Sequence, residues 1–258
     1  MAAGRKIQEP PYLVADLKSL YLSSMASQWR PLAERARTER QGHAEFLADL
    51  ARLEVTERRE RRIQRRIKEA RFPMLKTLDG FDFEAQKGLD RDEVLELFRC
   101  EFVTEAANVV LIGGVGTGKT HLAIALGLAC CQHDYRVRFT TAAELTTMLV
   151  EAKSQDRLSR KLDQLARFNV VLIDELGYVP FDKQGADLLF GVITRLYEQR
   201  SLIVTTNLPF ANWSEVFQDA TAAAAVIDRI VHHATVLHTK GDSYRLRAAK
   251  RRSRKESC

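Results

Sequence analysis

A glycine-rich segment at residues 113–120 has the residue types and spacing of a phosphate-binding loop. It reads GGVGTGKT and fits the pattern G-x-x-x-x-G-K-[ST]. Glycines permit backbone conformations that a Cβ would forbid, so successive N–H groups can turn towards phosphate oxygens. The lysine can reach the β- and γ-phosphates, and the last hydroxyl can bind Mg²⁺. The candidate nucleotide-binding residues are Gly113, Gly114, Val115, Gly116, Thr117, Gly118, Lys119, Thr120 and His121.

The segments on either side of this loop have the character that the motif requires. Residues 109–112 form a short apolar run that predicts a buried strand, and residues 121–131 form an amphipathic run that predicts a helix. The start of a helix adds a partial positive charge, which favours a phosphate group. In this strand–loop–helix setting the sequence predicts a site for a nucleoside triphosphate and Mg²⁺, with Thr120 as one metal ligand.

An acidic pair follows a second buried apolar run, in the segment VVLIDELG at residues 170–177. Asp174 is expected to hold Mg²⁺ through water, and Glu175 is expected to polarise an attacking water as a general base. The alternative is a helix-capping pair after a core strand, which the complete phosphate loop upstream disfavours. The pair therefore predicts hydrolysis in addition to binding.

Two further residues are candidates for catalysis beside Lys119 and Glu175. The amide of Asn207, at the end of IVTTN, can bond the attacking water or the γ-phosphate, although an Asn before Pro209 is also a common turn signal. Arg229, in AVIDRIVHHA, can stabilise charge on the transferred phosphoryl group, or it can pair with Asp228 at the surface. Chemistry alone does not prefer Arg229 to the other arginines.

Histidines and cysteines offer little sign of a metal site. Adjacent residues such as His232 and His233 do not share a helix face, and no Cys or acid lies at ligand spacing in the sequence, so both are expected to be structural or surface residues. The four cysteines show no C-x-x-C pairing and are expected to be reduced thiols. They are Cys100, Cys130, Cys131 and Cys258.

The elements that must position these residues alternate along the chain. Strands are predicted at residues 109–112, 135–140, 170–173, 202–206 and 234–238, and helical patterns separate them. This alternation predicts an α/β fold with a parallel sheet and helices on both faces. Residues 12–68 are instead helical throughout, with Leu13, Leu17, Leu20 and Tyr21 on one face and Pro31 at a first turn or kink. We predict a helical domain at 1–70, an ATPase domain at 71–240 and a basic tail at 241–258.

Composition and charge limit the function classes. With 258 residues, 45% hydrophobic and 29% charged, the chain has ample material for a core. It has no apolar run long enough for a bilayer and no signal-peptide pattern, so a cytoplasmic protein without a membrane partner is expected. The net charge of +6 is concentrated near residues 52–72 and 240–258, which suggests a nucleic-acid partner.

The first basic stretch predicts an arginine-rich helix that could face DNA or be a solvated connector. Arginine forks bind phosphates without reading sequence, so affinity is expected here and not specificity. The candidate DNA contacts in it are Arg58, Arg59, Arg61, Arg62, Arg65 and Arg66.

At this point the motifs resemble a known family. The order GGVGTGKTHLA, VVLIDELGYVP, IVTTNLP and DRIVHHA is similar to the AAA+ ATPases of the initiator and helicase-loader branch. RFPMLKTLDGFDF and DELGYVP are typical of the IstB-like transposition helper ATPases, which are encoded beside a transposase in insertion sequences. The resemblance covers roughly residues 12–247. It implies an AAA+ P-loop core preceded by a small all-helical domain.

The resemblance also implies roles that the spacing alone did not supply. Asn207 would be the first sensor, and Arg229 would be a finger that acts across a subunit interface. Phe81 and Phe83 would border the adenine pocket of bound ATP. The protein would assemble with ATP into a homo-oligomer on double-stranded DNA, deform that DNA and recruit or stimulate the transposase. An added helix after the second strand would face DNA, and its candidates, which could equally form a solvated surface, are Lys153, Arg157, Arg160 and Lys161.

One departure from the family pattern and three alternatives stand beside this interpretation. Residues 240–258 are too few for the helical lid of many AAA+ proteins, so neither Arg245 nor Arg247 is assigned as a second sensor. The basic tail is expected to be a phosphate-binding arm. The alternatives are a replicative helicase loader, a DNA scaffold in which ATP only controls assembly, and a small-molecule kinase.

Overall fold

Three helices form the N-terminal part of the chain in a computed structural model, which describes residues 7–86, 88–178, 180–217 and 219–241. They are α1 (Leu13–Ser19), α2 (Ser23–Glu39) and α3 (His43–Ala70). The chain divides into two compact units, Met1–Arg65 and Arg66–Cys258. The predictions for the first six residues, for the basic tail beyond residue 241 and for a lid arginine lie outside the described residues.

The first unit has its own small apolar core, in which Met25, Trp29 and Leu50 are buried. One expectation for this unit is wrong, and one of the two alternatives for Pro31 is excluded. Leu20 and Tyr21 are exposed and do not continue the apolar face of α1, because the helix ends at Ser19 and Tyr21 adopts a left-handed conformation with φ 58°. Pro31 lies inside α2 and not in its first turn, so it offers no N–H to the carbonyl one turn earlier.

The second unit alternates strands and helices as the sequence predicts. Short 3₁₀ turns at Leu78–Gly80 and Phe83–Ala85 follow α3. The later helices are α4 (Arg91–Leu97), α5 (Lys119–Gln132), α6 (Ala142–Ser154), α7 (Leu158–Leu165), α8 (Lys183–Leu196), α9 (Trp213–Phe217) and α10 (Ala220–Val231). The strands are β1 (Asn108–Gly113), β2 (Val137–Thr141), β3 (Val170–Leu176), β4 (Ser201–Thr206) and β5 (Ala234–Thr239).

The five strands form one parallel sheet in the order β2-β3-β4-β1-β5. Along β1, Val109 and Leu111 belong to a core shared with α5, whereas Val110 and Ile112 belong to a core shared with α6, α8, α9 and α10. Apolar side chains on both strand faces are expected when helices cover both sides of a sheet. The predicted α/β class with helices on both faces is confirmed.

Parallel strands end at the same edge of a sheet, so the segments that follow β1, β3 and β4 meet there. The phosphate loop follows β1, the acidic pair lies in the last residues of β3, and Asn207 follows β4. Within the described ranges, no helix is long and apolar enough to cross a membrane.

Candidate functional site

Backbone geometry explains the glycines of the loop at residues 113–120. Gly116 and Gly118 adopt left-handed conformations, with φ 79° and 89°, and Gly118 precedes the first residue of α5. A Cβ on Gly113 would lie 2.2 Å from the Thr239 carbonyl oxygen, because β5 runs directly beside this residue. The loop shape therefore depends on glycine at these positions.

The side chains of Lys119 and Thr117 hold the loop in shape from within. Lys119 Nζ donates to the carbonyl oxygens of Gly113 and Gly114, both at 2.8 Å. Thr117 Oγ1 donates to the Gly114 carbonyl at 2.8 Å and lies 2.7 Å from Thr239 Oγ1 on β5. The ammonium charge therefore lies inside the curl of the loop, where an anionic group would meet it.

The two predicted Mg²⁺ ligands are in direct contact. Thr120 Oγ1 donates to Asp174 Oδ1 at 2.9 Å, although the residues are 54 positions apart. Thr205 Oγ1 on β4 donates to the same carboxylate oxygen, and Asp174 is buried. A hydroxyl and a carboxylate oxygen are the hard ligands that Mg²⁺ prefers, so this pair fits that ion.

Glu175 is positioned by an irregularity at the end of β3. It adopts a left-handed backbone conformation with φ 60°, and the pairing of β3 with β4 shifts between Ile173 and Leu176. Its N–H donates to Thr205 Oγ1 at 3.0 Å. A non-glycine residue in this conformation is strained, and such strain concentrates at functional sites. Nothing in the sequence marks Thr205 as the anchor of both acids, except that a threonine interrupts an apolar strand.

A small cavity of about 70 Å³ brings together three of the four predicted catalytic residues, Lys119, Glu175 and Asn207. It is lined by Val115, Gly116, Lys119, Thr120, Glu175, Tyr178, Thr205, Thr206 and Asn207. The exposed carboxylate of Glu175 and the amide of Asn207 thus share one space with the loop lysine. This space has the groups needed to hold and polarise a water beside a phosphate.

A larger cavity of about 400 Å³ lies on the other side of the loop, within the size range of small-molecule sites. It is bordered by Gly116–Thr120, His121 and Phe81. The Phe81 ring packs edge-on against His121 at 5.5 Å, and His121 Nε2 lies 2.9 Å from the Thr77 carbonyl oxygen. Phe83 packs against Phe81 at 5.0 Å but does not line the cavity.

Arg229 lies outside both cavities, on α10. Its Nη1 donates to the Ala225 carbonyl at 3.0 Å, and its guanidinium carbon lies 5.0 Å from the centre of the Phe190 ring. The chain therefore does not bring Arg229 to its own nucleotide site. A role there would require a second copy of the chain.

In the first unit, some arginines of α3 already have intramolecular partners. The buried carboxylate of Glu54 accepts from the N–H groups of Ser24 and Met25 at the start of α2. Arg58 and Arg61 donate to the same carboxylate, at 3.1 and 3.4 Å. Arg58 and Arg61 therefore help to hold α2, although both are exposed. The other candidates of this unit are exposed on α3 as well, namely Arg59, Arg62 and Arg65.

In the second unit, Arg66 pairs with Asp134 at 3.4 Å and with Glu69 at 3.7 Å and is half-buried. The candidates around α6 and α7 are more accessible. Lys153, Arg157 and Arg160 are exposed, and Lys161 is half-buried. Of these residues, Arg66 is the least available to a phosphate.

The structure places an acid beside the two adjacent histidines, although none lies at ligand spacing in the sequence. Glu198, just after α8, lies with His232 and His233 so that one ligand atom from each falls within 4.8 Å of the others. Tyr197 Oη also lies 2.9 Å from His232 Nδ1. Sequence spacing could not reveal this contact, because the residues come from different connections of the sheet. All three side chains are exposed, and exposed clusters of this kind are common without a bound ion. We therefore assign no metal to them.

The described cysteines, Cys100, Cys130 and Cys131, are free and buried. Cys130 Sγ lies 3.6 Å from Cys100 Sγ, which is a hydrogen-bond distance for thiols. Burial raises the pKa of Cys131 to about 12, so its thiol stays protonated at neutral pH. Cys258 lies outside the part of the chain that the structure describes.

Comparison with known proteins places this geometry in a family. Residues 15–253 match the sequence model described as IstB-like ATP binding protein. A protein of insertion sequence IS21 from Pseudomonas aeruginosa, named for ATP binding, is 41% identical over 90% of this chain and 87% of its own length. The corresponding protein of IS5376 from Geobacillus stearothermophilus is 38% identical over 92% of this chain and 94% of its own length.

Solved structures share the fold at lower identity. A DnaC helicase loader aligns with a TM-score of 0.53 and 21% identity, over 64% of this chain and 96% of its own. DnaA from Aquifex aeolicus, bound to AMPPCP, aligns with a TM-score of 0.53 and 19% identity, over 69% of this chain and 55% of its own. These likenesses confirm the expected AAA+ fold of the initiator and loader type.

Proposed function

The chain belongs to the family of IstB-like ATP-binding proteins, and from this premise we propose that it is a DNA-dependent ATPase that assists the transposase of an insertion sequence. The observation that best supports ATP hydrolysis is that Lys119, Glu175 and Asn207 line one cavity. The hydrogen-bonded pair of Thr120 and Asp174 lies beside it. Relatives at 41% and 38% identity named for insertion sequences support the biological setting.

In this proposal each residue of the site has one task. The loop N–H groups and Lys119 bind the triphosphate, while Thr120 and Asp174 hold Mg²⁺, which neutralises phosphate charge when bound. Glu175 takes a proton from the attacking water, and Asn207 orients that water. Arg229 of a neighbouring copy stabilises the charge on the transferred phosphoryl group.

The proposal extends to partners that would act outside the nucleotide site. Double-stranded DNA would contact the exposed cations of α3 and of the α6–α7 region, through phosphates and not through base edges. ATP binding would join copies of the chain at an interface that contains Arg229. The assembly on DNA would then recruit or stimulate the transposase.

A Glu175→Gln variant tests this scheme, because it keeps the size of the side chain but removes the base. With ATP and double-stranded DNA, sedimentation should show assemblies of the variant at least as large as those of the wild type, while phosphate release is lost. Glu101→Gln, an exposed carboxylate outside both cavities, is the matched control and should behave as wild type.

The same variant separates the alternatives. If Glu175→Gln supports full transposition, hydrolysis is unnecessary and the protein is a scaffold controlled by ATP. A phosphorylated small-molecule product from the wild type would instead indicate a kinase. A helicase loader would bind a replicative helicase and give no stimulation of a transposase.

A further inference from the structure

A buried amide whose oxygen has no hydrogen-bond partner belongs to a residue in the wall of the larger cavity. Gln86 is 3% exposed, and its Oε1 bonds no atom of the described residues. Within the same ranges, two other buried side-chain atoms lack hydrogen bonds, Glu69 Oε2 and Arg136 Nε, but they lie 3.5 Å apart as an ion pair. Buried polar groups are nearly always partnered, so an unpaired amide oxygen on a residue of the cavity wall indicates that a ligand group pairs with it once the side chain turns towards the cavity.

The same cavity contains the phosphate loop. Gln86 lines it together with Gly116–Thr120, His121 and Ile124. Apart from this amide and the charged side chains of Lys76 and Asp82, the rest of the lining is largely apolar, with Met74, Phe81 and Ala85 among its residues. A molecule whose phosphates occupy the loop can therefore place an attached ring against apolar surfaces and within reach of one buried amide.

We propose that Gln86 selects adenine among the bases of nucleoside triphosphates. An amide offers one acceptor and one donor side by side, and the adenine edge at N6 and N7 offers the matching donor and acceptor. The guanine edge at O6 and N7 offers two acceptors and leaves the amide oxygen unpaired. Either orientation of the amide presents the same two groups, so the match does not depend on which atom is oxygen. This inference rests on the proposed function as an ATP-binding protein.

The backbone holds Gln86 in place, as a selective residue requires. Its N–H donates to the Phe83 carbonyl at 2.9 Å, and its carbonyl accepts from Leu89 N–H at 3.1 Å. The 3₁₀ turn before it is capped by Asp82, whose carboxylate accepts from Ala85 N–H at 3.1 Å. Gly241 packs closely against the backbone just before Gln86, since a Cβ on Gly241 would lie 2.9 Å from the Ala85 carbonyl oxygen. The backbone that carries this side chain is thus fixed before any ligand arrives.

The test compares two nucleotides whose bases differ only at the 6-position, and it includes GTP as a third nucleotide. Calorimetry measures the affinity of wild-type protein for ATP, for purine riboside 5′-triphosphate, which lacks the 6-amino group, and for GTP. The wild type should bind ATP about 10- to 100-fold more tightly than the other two, the range of one two-bond amide–base pair. Gln86→Met, which has similar length and no hydrogen-bonding amide, should bind all three with nearly equal affinity.

Glu84→Met is the matched control, because Glu84 is exposed in the same 3₁₀ turn and does not line the cavity. It should keep the full preference for ATP. Equal binding of all three nucleotides by the wild type, or an unchanged preference in a folded Gln86→Met variant, would overturn the role of Gln86 while leaving the ATPase proposal intact. If the wild type binds none of them, the proposed function itself fails.

Discussion

At the scale of single residues, one threonine organises the acidic end of the site. Thr205 Oγ1 donates to Asp174 and accepts from the Glu175 N–H, so a single hydroxyl fixes the carboxylate of one acid and the backbone of the next. The sequence predicted both acids from their position after a buried strand. It could not predict Thr205, because this role exists only where β4 lies beside β3.

Lys119→Ala should lower ATP affinity about 10- to 100-fold, because each charge-assisted bond to a phosphate is worth about 1.5–3 kcal/mol. Calorimetry with ATP and Mg²⁺ measures the change. Lys183→Ala, at the exposed start of α8, should leave the affinity unchanged. Normal ATP affinity in the Lys119 variant would refute the assignment of the phosphate loop.

At the scale of elements, a buried carboxylate on α3 fixes the start of α2. Burial opposes the charge of Glu54, but the N–H groups of Met25 and Ser24 and the Arg58 guanidinium outweigh it and lower the pKa of this carboxyl. A lowered folded-state pKa contributes stability that is present above the unfolded-state value of about 4.3. That contribution is lost as the pH falls through the lower folded-state pKa.

Glu54→Gln should reduce the protection of α2 against hydrogen exchange at pH 7 by about 1–3 kcal/mol, because the charge-assisted bonds to the α2 amides are weakened. We expect acidification to reduce the protection of α2 in the wild type, and this reduction should be smaller in the variant. Glu60→Gln, an exposed carboxylate on α3 that accepts from Gln64, is the control. Equal protection of α2 in both variants would mean that Glu54 does not hold this helix.

The second element with a testable task is α10, which carries Arg229. A mixture of Glu175→Gln and Arg229→Ala should recover hydrolysis although each variant alone is inactive. Each interface joins the site of one copy to the arginine of the next. It is intact when an Arg229→Ala copy supplies the site and a Glu175→Gln copy supplies the arginine, which holds for about a quarter of the interfaces in an equal mixture. Phosphate release measures the recovery. An active Arg229→Ala variant, or a mixture that assembles but stays inactive, would exclude a finger in trans.

Element boundaries show where sequence reasoning succeeds and where it fails. Apolar runs, together with the alternating segment YRVRFT for β2, predicted all five strands of the sheet, since strands covered on both faces are largely apolar. The structure begins β2 at Val137 and extends β3 beyond its predicted end at Ile173 to Leu176. Leu20 and Tyr21 were misassigned because spacing alone does not indicate where α1 stops. The contact of Glu198 with His232 could not be predicted, because it depends on which connections meet at the opposite end of the sheet.

At the scale of the whole molecule, the net charge of +6 is unevenly distributed and suggests a polyanionic partner. The sequence identified the arginine-rich helix, but it could not distinguish arginines that bind DNA from arginines with internal partners. In the structure, Arg58 and Arg61 form ion pairs with Glu54. Arg59 and Arg65 do not contact Glu54 and are exposed on α3. The second pair is therefore the better candidate for binding phosphates.

DNA affinity should fall steeply with salt, because each bound phosphate releases counterions. Arg59→Ala and Arg65→Ala together should make the slope of log affinity against log salt less negative by about 2, one unit for each phosphate that the variant no longer binds. Fluorescence anisotropy with a labelled duplex measures the slope. Arg99→Ala, an exposed arginine paired with Glu96, should not change it. A slope unaffected by the double variant would mean that these arginines do not bind DNA.

The most direct test of the central claim is the rate of phosphate release from ATP with increasing double-stranded DNA. The proposal predicts that the rate rises with DNA until the protein is saturated and that no small molecule is phosphorylated. Both the basal and the stimulated rate should vanish in Glu175→Gln, because it lacks the general base. A rate that is the same with and without DNA would contradict a DNA-dependent ATPase.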